Sequence, residues 1–332
     1  MSARQSQFQR WADDAREALA RGRADLAQPM LRELAARLPQ HPTVLTMRRW
    51  AALIEFDWPA ARDTIATAQR PAPSPGEIEI VLFHADLPKA PSGVHGRLDY
   101  LEVAAASFAA AAHNAPRARR ILLTDEHTPV PDDIGAHDVV RHTIDCSRLM
   151  YERMRIQERH LASRVAGRAT VFMDVDVMTN RDPAEIFAQD FDIGLTWRVE
   201  FPEAPINGGL IFAAPGDGAL TFFREARRCY DALADDGRIA GLFERDLRAW
   251  WGDQFALAQM LGYRQLAERG PNGMLVGGSR VHLFPCEDYN FTPEANVSYG
   301  DAFLRSRHFL HFKGNRKTMQ AAYLERISAS AR

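Results

Sequence analysis

Apolar and alanine positions recur at helical spacing over residues 11–20, 26–38, 44–56 and 60–68. They predict an all-helical N-terminal segment, broken at Arg21-Gly22-Arg23, Pro39-Gln40-His41-Pro42 and Asp57-Trp58-Pro59. The stretch Pro71-Ala72-Pro73-Ser74-Pro75-Gly76 forbids helix and favours an extended linker. It is read as a boundary between a helical module at 1–72 and a second domain at 77–332. Beyond it the pattern changes. Short β-rich runs at 77–83, 120–124, 138–143, 169–177, 191–197 and 207–213 alternate with helical stretches at 101–113, 147–165, 220–233 and 250–261. Ser147 is a plausible N-cap of the second of these helices. Strands separated by helices predict an α/β fold with a mainly parallel sheet covered on both faces. Ligands of such sheets bind beyond the carboxyl ends of the strands, so polar residues there matter most.

The helical module is self-similar at an offset of 34 residues: Ala18-Leu19 falls on Ala52-Leu53, Ala27 on Ala61, Leu31 on Ile65 and the Pro39 turn on Pro73. The segment from Ala18 to Pro42 resembles a tetratricopeptide repeat, whose small residues let paired helices approach. An unrelated alanine-rich bundle is the bland alternative. The resemblance implies a groove for a protein partner, or a cap on the neighbouring domain.

Composition narrows the function. The 332 residues are 46% hydrophobic and 25% charged, and 41 basic residues against 43 acidic ones leave a net charge of −2. No strong field draws such a chain to nucleic acid or an acidic membrane. Cys146, Cys229 and Cys286 are too widely spaced for a zinc ribbon and too few for a disulfide framework. The longest nearly apolar run, 103–112, is far short of the roughly 20 residues that span a bilayer. The polar opening MSARQSQFQRWADDAR lacks the apolar stretch of a signal peptide. A cytoplasmic protein is expected. Only Lys89, Lys313 and Lys317 are lysines, so a lysine here is more informative than usual.

The sharpest local feature is Asp174-Val175-Asp176, two carboxylates ending the apolar run Val171-Phe172-Met173. Buried charge is costly unless paired or metal-bound. Alternation along a strand puts positions i and i+2 on one side, where both acids can meet one ion. Hard oxygen ligands suit Mg²⁺ or Mn²⁺ on a diphosphate. If instead the strand ends at Asp174, both acids are solvated in a turn. A haloacid-dehalogenase phosphotransferase is disfavoured: three strands precede the motif, position 178 is Met, and the downstream lysines follow Gly252-Asp253 rather than precede it.

From about residue 77 onward the sequence resembles nucleotide-sugar glycosyltransferases of the GT-A fold, most closely glycosyltransferase family 8 and its relatives. Four landmarks carry the resemblance in order: Asp174-Val175-Asp176, Pro205-Ile206-Asn207-Gly208-Gly209, Gly252-Asp253-Gln254, and the HxxGxxK spacing of His311, Gly314 and Lys317. It implies a Rossmann-like mixed sheet and a metal-dependent transferase moving a sugar, with retention, from a nucleotide-sugar (a UDP-sugar) to an unknown acceptor. Asp174, Asp176 and His311 are then the ligands of Mn²⁺ or Mg²⁺, with His308 a poorer fit. Gly314 and Lys317 contact the phosphates, and Lys317 assists departure of the leaving group. Phe83, His84 and Asp125, at the ends of the first two strands, lie where the family holds uracil and ribose, or are ordinary loop residues. Arg153 or Arg155 corresponds to an arginine near the donor, Arg153 being the one carried forward; Arg159 and Arg164 are expected to be solvated.

Asn207, Gly208 and Gln254 are expected at the sugar. Asp253 and Gln254 are placed in the catalytic set with Asn207 and Lys317, or else Asp253 and Gln254 cap their helix. Trp250 and Trp251 are core by default, unless one stacks on a sugar. An inverting enzyme needs a base, for which Asp253, Glu287 and Asp288 are candidates. The sequence departs from the family at Thr318-Met319, after Lys317, and at Phe255, both near the expected sugar and acceptor positions. A non-catalytic scaffold is the competing reading, and a phosphohydrolase the third.

Overall fold

The computed structural model describes residues 3–56, 58, 62–64, 78–86, 99–198, 201, 204–263, 266 and 274–329. Three helices open the chain: α1 (Ala3–Ala20), α2 (Ala24–Arg37) and α3 (Pro42–Glu55). Pro42 starts α3, where its missing N–H costs nothing and its φ is already helical. Alanines 12, 15, 27 and 51 are buried between the helices beside Leu19, Leu31 and Trp50. The fourth predicted helix, 60–68, is replaced where the chain is described: Arg62–Thr64 forms strand β1. Its backbone pairs with a sheet edge, a tertiary partner that local alanine spacing cannot report. The proline-rich segment 71–76, and with it the boundary between 72 and 77, lies outside the described residues.

The rest of the chain follows as β2 (Ile78–Phe83), α4 (Tyr100–Asn114), β3 (Arg119–Asp125), β4 (Asp138–His142), α5 (Leu149–Ser163), β5 (Ala169–Asp174), β6 (Val177–Thr179), β7 (Ile193–Trp197), β8 (Ile206–Ala213), α6 (Gly218–Asp235), α7 (Gly237–Asp246), α8 (Gly252–Leu261), β9 (Met274–Val276), β10 (Ser279–Pro285), α9 (Cys286–Tyr289), α10 (Asp301–Arg305), β11 (Phe309–His311) and α11 (Gln320–Ala329). The main sheet has the order β1-β9-β10-β7-β8-β5-β2-β3-β4. β8 and β9 run against the other seven strands, so the sheet is mixed and mainly parallel, as expected. Its central strands are apolar on both faces. Ile80 and Leu82 pack towards Ala104 and Phe108 of α4, while Val81 and Phe172 join the core formed with α5, α6 and α8.

That second core is continuous with the N-terminal helices, reaching from Trp50 and Leu53 to Phe243, Phe255 and Leu257. Arg49 Nε donates to the Leu242 carbonyl at 2.8 Å. Arg238 pairs with Glu55, and the Gln259 amide donates to the Leu53 carbonyl. The helical layer therefore backs the helix that carries Asp253 and Gln254.

Three further elements differ from the local pattern. The predicted strand 169–177 stops at Asp174 and turns, and β6 leaves to pair antiparallel with β11, His311 standing opposite Val177. Asp145, not Ser147, caps the turn before α5; its carboxylate accepts from the Ser147 N–H at 2.9 Å. A wider helical turn, Leu247–Trp251, precedes α8, so that helix starts two residues later than predicted. Among the described residues no helix is long and apolar enough to cross a membrane.

Candidate active site

Asp174 ends β5 on the side of Phe172, which faces α5. There the buried Arg153 of α5 meets it in an ion pair. The same guanidinium lies 2.6 Å from Asp253 Oδ2 at the start of α8, and donates to the Gly208 carbonyl at 2.6 Å. Burial opposes its charge, but Asp253 and Asp174 hold its pKa above the ordinary arginine value. Arg153 thus joins three of the four landmarks. Arg155 turns away, donating to the Thr143 carbonyl at 2.7 Å and pairing with Glu152.

Two residues on, Asp176 is carried inward by the turn rather than by strand alternation, and it is buried, not solvated. Lys317 Nζ lies 2.6 Å from Asp176 Oδ2, and His311 Nε2 lies 3.2 Å from Oδ1. Burial alone would raise the Asp176 pKa; the His311 ring and the Lys317 ammonium hold it well below the usual carboxylate range. Burial pushes the His311 pKa down, favouring the neutral ring.

A network that sequence reasoning missed selects the tautomer. Thr196 Oγ1 donates to the Asn207 carbonyl at 3.1 Å, so it must accept from Asn290 Nδ2 at 3.0 Å. The Asn290 carbonyl then faces His311 and accepts from Nδ1–H at 3.0 Å, so that the Nε2 lone pair would be available to an ion once Nε2 gives up the proton it shares with Asp176.

These residues fit a divalent ion. One ligand atom from each of Asp174, Asp176 and His311 can be chosen so that all three lie within 4.8 Å of one another. Octahedral ligands about 2.0–2.1 Å from Mg²⁺ stand about 3 Å apart, close to the 3.2 Å between His311 and Asp176. The cradle is kept open by Gly209, where a Cβ would lie 2.5 Å from Asp174 Oδ2 and 2.7 Å from His311 Cε1.

A cleft of about 520 Å³ opens over the ends of the parallel strands. Phe83 and His84 of the β2 end, with Tyr100 and Cys146, line one side; Arg153, Asp174, Asp176, His311, Gly314 and Lys317 lie between; Asn207, Trp251, Gln254 and Arg198 line the other, and Lys313 also borders the cleft. The sheet order sets this sequence, since β5 lies between β2 on one side and β8 and β7 on the other. Gly314 has φ +59°, a conformation that favours glycine. Asn207 is buried; its Oδ1 accepts from the Gly209 N–H at 2.9 Å, while its Nδ2 has no partner among the described residues. Gln254 Oε1 accepts from Arg198 at 3.2 Å. Trp251 is 37% exposed and borders the cleft, so it is not core. The side chain of Trp250 lies outside the described residues.

Other expected residues sit elsewhere. The Asp125 carboxylate is spent on its own loop, accepting from the backbone N–H of His127 at 2.6 Å and of Thr128 at 2.9 Å. Asp253 lies beneath Gly208 rather than on the cleft wall, and is held in an ion pair by Arg153. His308 stacks on Tyr289, away from the ion site. Asp288 pairs with Arg307, and neither it nor Glu287 lines the cleft. Arg159 is exposed as expected. Arg164 is not solvated: it donates to the Ala214 carbonyl at 2.7 Å and the Gly216 carbonyl at 3.0 Å. Arg198 and Lys313 are cleft residues to which sequence reasoning gave no role. Their signals were modest: Arg198 follows the last residue of a strand, and Lys313 is one of three lysines.

No family model and no curated relative matches the sequence. Among solved structures the chain is similar to the galactosyltransferase LgtC in complex with donor and acceptor sugar analogues, with a TM-score of 0.43 and 11% identity over 76% of this chain and 95% of that one. It is also similar to a glycosyltransferase involved in glycosylation of the major capsid of PBCV-1, with a TM-score of 0.41 and 12% identity over 75% and 98%. At this distance the likeness is one of outline, and the chemistry must come from this chain's own side chains.

Proposed function

We propose that this chain is a metal-dependent glycosyltransferase of the GT-A type that moves a sugar from a UDP-sugar to an acceptor with retention. The observation that carries the reading is the meeting of Asp174, Asp176 and His311, with Lys317 beside them, in the middle of a cleft. Sequence separations of more than 130 residues are closed by the pairing of β6 with β11. Asp174, Asp176 and His311 would hold Mn²⁺ or Mg²⁺, which when bound supplies Lewis acidity towards the donor diphosphate. Lys317 brings a positive charge to the same corner, where charge grows on the departing nucleoside diphosphate. Gly314 lets backbone approach the phosphates.

Phe83, His84 and Tyr100 offer aromatic surface for the nucleoside. Asn207 Nδ2 offers a buried donor to a sugar hydroxyl, and Gln254, its carbonyl held by Arg198, offers its amide N–H₂. Retention is what the resemblance to family 8 implies; Asp253, Glu287 and Asp288, the carboxylates considered as a base, do not line the cleft. The helices before residue 56 have a supporting role in this reading, through the core they share with α8.

Incubation of the protein with Mn²⁺ and a panel of nucleotide sugars, with released UDP and GDP detected, tests the proposal. Metal-dependent release of UDP from one or more UDP-sugars is expected. Phosphate release with a phosphorylated Asp174, in place of nucleotide release, would contradict it.

A further inference from the structure

Strand β8 is interrupted where it enters the site, and the residue opposite the interruption is Thr196. The antiparallel pairing of β7 with β8 sets Leu195 against Ile211 but Thr196 against Asn207, so residues 208–210 have no partner on β7. A bulge of this kind re-aims the chain beside a site. Here it turns the Gly208 carbonyl to Arg153 and brings Gly209 against Asp174 and His311. The Thr196 hydroxyl is buried, 3.1 Å from the Asn207 carbonyl and 3.3 Å from the Leu210 carbonyl, one on each side of the looped-out glycines. Carbonyls only accept, so the single hydroxyl proton is committed to the bulge and the oxygen is left to accept. Its donor is the amide of buried Asn290, at 3.0 Å, and the other end of that amide meets His311 Nδ1, also at 3.0 Å.

On the ion-site and donor-site reading above, we propose that Thr196 is a positioning residue for both ends of the cleft. One buried hydroxyl clamps the bulge that carries Asn207 and, through Asn290, holds the His311 ring for the ion. Without it the Asn290 amide loses the partner that fixes its orientation. A turned amide presents a donor to Nδ1 in place of an acceptor and weakens the ligand it supports. The bulge loses its clamp in the same step.

Two readouts separate this role from plain packing. Mn²⁺ is titrated calorimetrically, with and without UDP, into the wild type, Thr196→Val, Thr196→Ser and Asn290→Leu, and amide hydrogen exchange over residues 206–213 is followed by mass spectrometry. Thr196→Val should weaken Mn²⁺ binding about tenfold or more and speed exchange across the bulge. Thr196→Ser keeps the hydroxyl and should restore both. Asn290→Leu should lose the Mn²⁺ affinity yet leave exchange of the bulge as in the wild type. Unchanged Mn²⁺ affinity in Asn290→Leu would overturn the proposal, and does so even if Thr196→Val fails to fold. So would a serine variant no better than the valine one, which would give the role to the methyl group. Absence of Mn²⁺ binding in the wild type would remove the ion site itself, a different failure, and the exchange measurement would still decide whether Thr196 clamps the bulge.

Discussion

The corner around Asp174, Asp176, His311 and Lys317 and the opposite end around Asn207, Arg198 and Gln254 belong to one cleft but hold polarity differently. In the corner each charged or polar group already has protein partners: Arg153 for Asp174, Lys317 for Asp176, Asn290 for His311. At the other end Asn207 keeps a buried amide N–H₂ that the described residues leave unanswered. The contrast is one of preorganisation against recognition. Groups that must hold a fixed geometry are locked from behind by hydrogen bonds. Groups that must distinguish substrates are left to find their partners in the ligand, because a buried donor left unpaired by the wrong ligand is what penalises it.

The largest break in this picture should come from the lock itself. Arg153→Met strands Asp253, only 1% exposed, beside Asp174 with no counter-charge. A loss of about 3–5 kcal/mol in unfolding free energy is expected, measured by urea denaturation. Adding Asp253→Asn should recover part of it; no recovery would mean that Arg153 stabilises by packing rather than by charge.

A smaller effect, confined to ligand affinity, should follow at the corner. Asp176→Asn removes an ion ligand and the Lys317 partner together, and should weaken metal-dependent nucleotide binding by about 100-fold or more. Affinity unchanged from wild type in a filter-binding assay would take Asp176 out of the ion site. The smallest effect should be at the recognition end. Asn207→Ala removes only a proposed sugar contact, so turnover should fall about tenfold while UDP affinity stays within about twofold. Equal losses in both would move Asn207 to the nucleotide.

The corner was also the more legible of the two in sequence. Asp174, Asp176, His311 and Lys317 stand out because charges and a rare lysine adjoin apolar strands. Strands β2, β3, β5, β7 and β8 could be placed because their apolar runs are bounded by polar turns. What local pattern cannot carry is the partner. Residues 60–68 have helical alanine spacing, but Arg62–Thr64 pairs with β9 about 210 residues away. The acids of Asp174-Val175-Asp176 converge through a turn, because β6 has to leave the main sheet to meet β11.

Arg153 and Arg155 were inseparable in sequence although two helical residues differ by about 200° in direction; only the rotation of α5 against the sheet decides which one meets Asp174. Asn290 carried no signal, since an asparagine becomes a histidine's orienting partner only when α9 and β11 are packed together.

The central claim is that Asp174, Asp176 and His311 share one divalent ion with the donor diphosphate. Calorimetric titration of UDP into the wild type and His311→Ala, each with and without Mn²⁺, tests it most directly. The account predicts wild-type binding that requires Mn²⁺, and binding about tenfold weaker but still metal-dependent in His311→Ala, since water can refill one ligand position. UDP binding that needs no metal and ignores the loss of His311 would contradict it.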